Sequence, residues 1–236
     1  VGVDSVVFCS IGMSALVLGV WLLIRRHDLK VTLRELGVLA GLGLFYSLTA
    51  LLLTTSYLYI PSGIATTIHF LYPVVVTLVM ILFFKDRVSL PLLIAIAMAI
   101  SGVYLLSYSG SEGTVSLKGL MLVLTTVITY ALYIVGVNKS NVSKMDGLKL
   151  TFYVLFVGAI VFGLNLLIKG QPLELAPDMD TWIHLFLLAL IPTLVSDFTL
   201  VLAVQHVGST TTAVLGCMEP MTAVAMGVLV FEEQLG

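Results

Sequence analysis

Three ionisable side chains stand inside long apolar stretches of this sequence, and any chemistry is expected to start from them. Glu219 lies near the middle of VGSTTTAVLGCMEPMTAVAMGVLVFEEQL, directly before Pro220. Asp197 lies in IPTLVSDFTLVLAV, and His69 stands one helical turn before Pro73 in IPSGIATTIHFLYPVVVTLVMILFFKDRV. A charged group at the centre of a membrane-spanning helix costs about 2.5–3.5 kcal/mol on insertion scales, so each needs a role or a partner. Glu219 has two readings. It binds a substrate or a proton in a cavity, or it is protonated and bonds to backbone opened by Pro220, which lacks a donor and frees a carbonyl one turn earlier. Asp197 either faces water in a cavity or pairs with a donor such as His or Tyr. His69 is of a type that changes charge near neutral pH, which suits proton coupling, although a lone helical His also serves as a packing residue.

Spacing groups these residues further. Ala65, His69 and Tyr72 fall at i, i+4 and i+7, as do Thr212, Gly216 and Glu219, so each set shares one helix face. Tyr130 and Tyr133 offer rings for stacking on a ligand or for packing. Cys9 and Cys217 sit in separate apolar runs. Neither a nucleophile–base set, a Walker loop nor a metal spacing can be built from the chain, so no cofactor and no metal site is expected.

The elements that must hold these residues follow from composition. Of 236 residues, 59% are apolar and 10% charged, with a net charge of −2; the mean hydropathy is +1.14. A soluble domain carries about a quarter charged residues, so lipid rather than water is the expected solvent. The weak net charge argues against a nucleic-acid partner. A bilayer core needs about 20 mostly apolar residues per helix. About eight such runs stand near 3–24, 33–56, 60–84, 89–108, 117–137, 148–168, 182–204 and 208–231. They lack the strict alternation of barrel strands, which predicts an all-α integral membrane protein. Gly37, Gly41 and Gly43 read as close helix packing, and Trp21 and Trp182 as interface anchors. Basic residues gather in alternate loops: Arg25, Arg26, Lys30 and Arg34, then Lys85 and Arg87, then Lys139, Lys144 and Lys149. The positive-inside rule puts those loops in the cytoplasm and both ends of this chain outside.

The third and eighth runs read alike. At the offset that superposes Pro73 on Pro220, Ser62 meets Ser209, Asp86 meets Glu233, and Tyr72 takes the place of Glu219. The copies are an odd number of spans apart, which places them in opposite orientations and marks an inverted-topology repeat. In carriers built that way, broken helices at matching positions of the halves point to the substrate site. Here those positions are Pro73 and Pro220, and if one stripe faces a cavity, symmetry puts the other there too.

With these two segments, the Glu219-Pro220 pair and TYALYIVGVNK at 129–139, the chain resembles the EamA-type branch of the drug/metabolite transporter superfamily. The resemblance covers nearly the whole chain, through loose hydrophobic motifs. Where the family usually shows a Gly-Glu pair after these helices, this sequence has Phe84-Lys85-Asp86 and Phe231-Glu232-Glu233. It implies ten helices in two inverted five-helix halves, of which these runs would be helices two to nine. Residues 1–108 would be the first half without its first helix, and 117–236 the second without its last. The chain opens VGVDSVVF, without Met or a basic leader, as that register expects.

The leading expectation is a secondary transporter, not an enzyme, that moves a small amino-acid-like or drug-like metabolite, in the export direction, by alternating access. Glu219, Asp197, His69, Tyr72 and Tyr130 are the candidate binding or coupling residues. Proton coupling and a bacterial inner membrane complete that reading. An intramembrane enzyme using Asp197, His69 and Glu219, and a non-transporting receptor, are the alternatives.

Overall fold

A helix in lipid turns the soluble pattern inside out: apolar side chains can face outward, while every backbone donor and acceptor must be satisfied within the protein. The computed structural model describes residues 2–86, 116–170, 172–174 and 178–216, with 94, 97, 101, 218, 219 and 222. Among them, six stretches are long and apolar enough to span a bilayer: Val3–Ile24, Leu33–Ser56, Ser62–Phe84, Leu117–Lys139, Gly147–Lys169 and Met179–Val207. Each coincides with a run read from the sequence. The expected span at 89–108 and the later part of the one at 208–231 lie outside the described residues.

Four spans are continuous: α1 (Val3–Ile24), α2 (Leu33–Ser56), α5 (Leu117–Lys139) and α6 (Gly147–Lys169). The other two are interrupted. Ser62–Phe84 divides into α3 (Ser62–His69) and α4 (Tyr72–Phe84). Met179–Val207 divides into α7 (Met179–Leu188), a π-helical segment (Ala189–Val195) and α8 (Ser196–Val207). A short α9 (Ser209–Gly216) follows Gly208, whose φ of 89° is a left-handed conformation that favours glycine.

The chain forms two compact units. Unit 1 comprises Val1–Leu51 and Gly136–His206, and unit 2 comprises Leu52–Val135 and Val207–Gly236. In unit 1, α1 packs along α6 and against the π segment. Its core gathers Ile11, Ala15, Leu155 and Phe162, with Phe8, Tyr46 and Leu194 packed around them. Small residues let these backbones close up. A Cβ on Gly43 would lie 2.6 Å from Cβ of Val157, and one on Gly19 would lie 2.8 Å from the Phe152 ring. Among the described residues nothing lies within 4 Å of that position at Gly37 or Gly41, so of the expected glycine set Gly43 is the one packed there. In unit 2, α9 packs against α4, and Ile60, Ala65 and Val123 form a smaller core with Leu53 and Ile68.

Exposed apolar side chains such as Leu16, Leu23, Leu82, Phe83, Leu164 and Ile168 supply the lipid-facing surface. The helix ends are polar. Trp21 carries the Arg25 guanidinium 5.6 Å from its ring, and Lys169 pairs with Asp4 at 2.7 Å.

Candidate functional site

The break in Ser62–Phe84 follows from one missing proton. In an unbroken α-helix the N–H of residue 73 would bond the carbonyl of His69, and proline has none. The helix stops at His69, Phe70 donates to Thr66 O and Leu71 to Ile68 O, and a new helix begins at Tyr72 with Pro73 in its first turn. Proline is well tolerated there because first-turn donors have no helical partner anyway. The stripe Ala65, His69 and Tyr72 stays buried through this junction.

Four rings meet beside the break, all in unit 2. The His69 ring lies 5.6 Å from Tyr72 and 5.3 Å from Tyr130. Tyr72 and Tyr130 meet edge to face at 4.7 Å and 87°, and Tyr130 stacks toward Tyr133 at 6.1 Å. His69 Nδ1 lies 2.9 Å from Oγ1 of Thr126, which is itself fully buried. Thr126 gives its only hydroxyl proton to Val123 O at 2.7 Å, so it must accept from the imidazole. That assigns the ring proton to Nδ1 and leaves Nε2 as the acceptor of the neutral ring. Beneath Tyr72, a Cβ added to Gly216 would collide with the phenol oxygen, so this glycine gives Tyr72 its place.

The second stripe behaves differently along its length. Thr212 is buried, Gly216 is half-buried under Tyr72, and Glu219 is exposed, with its carbonyl accepting from Thr222 Oγ1 at 2.8 Å. Pro220 lies outside the described residues.

Asp197 belongs to unit 1. Its Oδ2 accepts the Tyr46 hydroxyl at 2.7 Å, the type of donor expected for it. The residue stands at the start of α8, just after the π segment that contains Pro192. Neighbouring hydroxyls repair what that proline removes. Thr193 Oγ1 donates to Leu188 O at 3.0 Å, the carbonyl that an α-helical N–H at position 192 would have used. With that proton committed, Ser10 Oγ donates to Thr193 Oγ1 at 2.7 Å. Ser14 Oγ lies 2.7 Å from both Ser10 O and Ala189 O.

Sequence reasoning therefore finds His69, Tyr72 and Tyr130, which the structure brings together. It misses Thr126, Tyr46 and the seryl pair of α1, and it reads 182–204 as a plain run. The available signal was Pro192, five residues before Asp197, together with Ser10 and Ser14 spaced one helical turn apart. Among the described residues, no three His, Cys, Asp or Glu side chains gather as a metal site.

Comparison with known proteins supplies the family. An uncharacterized transporter of Synechocystis sp. is 27% identical over 201 residues, covering 83% of this chain and 59% of that protein. An uncharacterized transporter of Archaeoglobus fulgidus is 26% identical over 132 residues, covering 56% of this chain and 46% of its own. The uncharacterized transporter YvbV of Bacillus subtilis is 26% identical, covering 67% and 52%. The chain thus spans 46% to 59% of the length of these relatives. A solved crystal structure superposes with a TM-score of 0.81 over 99% of this chain and 80% of that one, at 15% identity, a likeness of fold alone. Residues 1–108 and 117–236 match the EamA-like transporter family, so the chain belongs to that family and is an integral membrane protein.

Proposed function

We propose that this chain is the transmembrane body of a secondary carrier in a bacterial inner membrane, exporting a small metabolite that bears an amine or another hydrogen-bond donor. The carrying observation is the ring cluster of unit 2, built on a broken helix inside a membrane span. Lipid offers no partner for backbone groups left open by a helix break, so such breaks belong where protein or a water-filled cavity can satisfy them. Three phenol rings present π-faces that attract a cation, and the neutral imidazole offers Nε2 as an acceptor beside them. A solute donating N–H to His69 and resting its cationic end on Tyr72 and Tyr130 suits that chemistry. Glu219, one turn beyond Gly216 on α9's face, supplies a carboxylate at the rim.

Transport proceeds by alternating access: the two inverted halves, 1–108 and 117–236, reorient so that the site opens to one side at a time, driven by the proton gradient. The family match supports a transporter; the repeat read from the sequence supports this mode.

The test is metabolite profiling of medium and cytosol from cells expressing the full-length protein, beside empty cells and cells expressing Tyr130→Ala. One compound class should leave the cytosol with the native protein and do so more slowly with Tyr130→Ala. Profiles identical to empty cells, with the protein present in the membrane, would refute the reading.

A further inference from the structure

A carboxylate sits in unit 1 with no part in the ring cluster, and its surroundings are specific. Asp197 is partly buried within the span Met179–Val207 and receives one hydroxyl, that of Tyr46 on α2. Among the described residues no Lys, Arg or His forms an ion pair with it. The titratable and charged groups on the elements packed around it are committed or remote. On α1, Asp4 pairs with Lys169 of α6, and Cys9 is buried in the helix. On α6, Lys149 Nζ donates to Lys30 O and the Tyr153 hydroxyl to Leu29 O. On α7, His184 faces Asp180 at the exposed helix start; on α8 itself, His206 Nδ1 lies 2.8 Å from Leu202 O. Glu35 is held by Thr32 at the start of α2, and Lys139 at the end of α5 and Lys144 beyond it are exposed. Among the described residues, Tyr46 is therefore the titratable group in contact with Asp197.

We propose that Asp197, held by Tyr46, is the proton-carrying group of this carrier, a role that rests on the carrier reading above. A phenol suits both states of the acid. It donates to the carboxylate and, by turning its hydroxyl, accepts from the carboxylic acid, so a proton can bind to Oδ of Asp197 and leave without the pair coming apart. The position also has mechanical consequence. Asp197 follows a π segment bonded to α1 through the Ser10 and Thr193 hydroxyls and through Ser14 Oγ, which donates to the Ala189 carbonyl. Local π turns are common at functional sites because the wider turn can shift register. Protonation changes the Tyr46 bond at one end of that segment while α1 holds the other, which makes the segment the element that converts proton binding into helix movement. Thr193, one turn before Asp197, is the α1-bonded residue nearer to the acid.

Infrared titration of the full-length protein in liposomes reads the proton without any substrate. Acidification should produce a carboxylic-acid C=O band that is lost in Asp197→Asn, restored in Asp197→Glu and shifted to a weaker hydrogen bond in Tyr46→Phe. An unchanged band in Asp197→Asn, or no shift in Tyr46→Phe, would overturn the assignment. Transport then tests the coupling with the compound identified by profiling. Asp197→Asn should retain exchange of labelled for unlabelled compound and lose accumulation driven by a pH gradient. If Asp197→Asn still accumulates the compound, Asp197 is not the coupling group. If the native protein exchanges nothing, the carrier reading fails instead, and the infrared result still reports whether Asp197 binds the proton.

Discussion

Each unit contains a span interrupted near a proline, and the two interruptions are built in opposite ways. In unit 2 the helix ends before Pro73 and restarts with it in the first turn, so the missing donor falls where no donor is needed. In unit 1 the helix runs on through Pro192 by widening into a π turn, and side-chain hydroxyls from α1 and from Thr193 satisfy the loosened carbonyls. The first solution leaves a fixed corner, against which four rings are packed. The second leaves a continuous segment whose register is held by three hydroxyl contacts. One proline thus leaves a packed corner and the other a continuous π segment braced by hydroxyls.

The comparison predicts unequal responses to restoring the donor. Alanine in place of an interior proline removes a penalty of about 3 kcal/mol, whereas a first-turn proline carries almost none. Pro192→Ala should therefore raise thermal stability in detergent well above Pro73→Ala, at the expense of the π segment. Equal shifts for the two variants would erase the distinction.

Next in size is the packing of the corner. Gly216→Ala puts a methyl group onto the Tyr72 hydroxyl, an overpacking that costs about 1–3 kcal/mol and should move Tyr72 off His69 and Tyr130. Gly41→Ala meets none of the described residues and should leave stability nearly unchanged. Melting curves of the two variants side by side check this. Thr126→Val is smaller: it strands the buried Nδ1 proton of His69, at a cost on the order of 1 kcal/mol or somewhat more. A methyl-for-hydroxyl swap without effect on stability would mean that His69 is held by its rings alone.

How far this was legible beforehand differs between the units. The six spans could be read because a helix in lipid must be long and apolar, whatever it packs against. His69 and Tyr72 could be read because a stripe at helical spacing leading to Pro is visible in one dimension, and Tyr130 because two tyrosines one turn apart stand in an apolar run. Tyr46 could not: it is one Tyr among nine, and its pairing with Asp197 depends on how α2 crosses α8. Nor could the π segment, since the choice between breaking at a proline and widening around it is made by hydroxyls on α1, far away in sequence. The glycine set misled for the same reason. Among the described residues, only Gly43 of that set has a neighbour close enough to require it.

The smallest effect lies at the polar rim of unit 1. The Asp178 side chain accepts the Thr181 N–H at 2.7 Å at the start of α7, and that backbone bond, helped by the Thr181 hydroxyl, holds its carboxyl below the ordinary value of 3.8. A depressed folded-state value means that the cap stabilises above pH 3.8 and is lost as pH falls through the folded value. The hydrogen-exchange protection factor at Thr181, taken relative to intrinsic exchange at each pH, should fall on acidification through that value and should not change with pH in Asp178→Asn.

The most direct test of the carrier is saturable flux of the profiled compound through liposomes holding the full-length protein. The account predicts that Tyr130→Ala weakens apparent affinity several-fold while Tyr46→Phe, in the other unit, leaves affinity intact and alters only the response to pH. Unchanged affinity in Tyr130→Ala would contradict the assignment of the ring cluster as the binding site. Absence of saturable flux in the native protein would contradict the account as a whole.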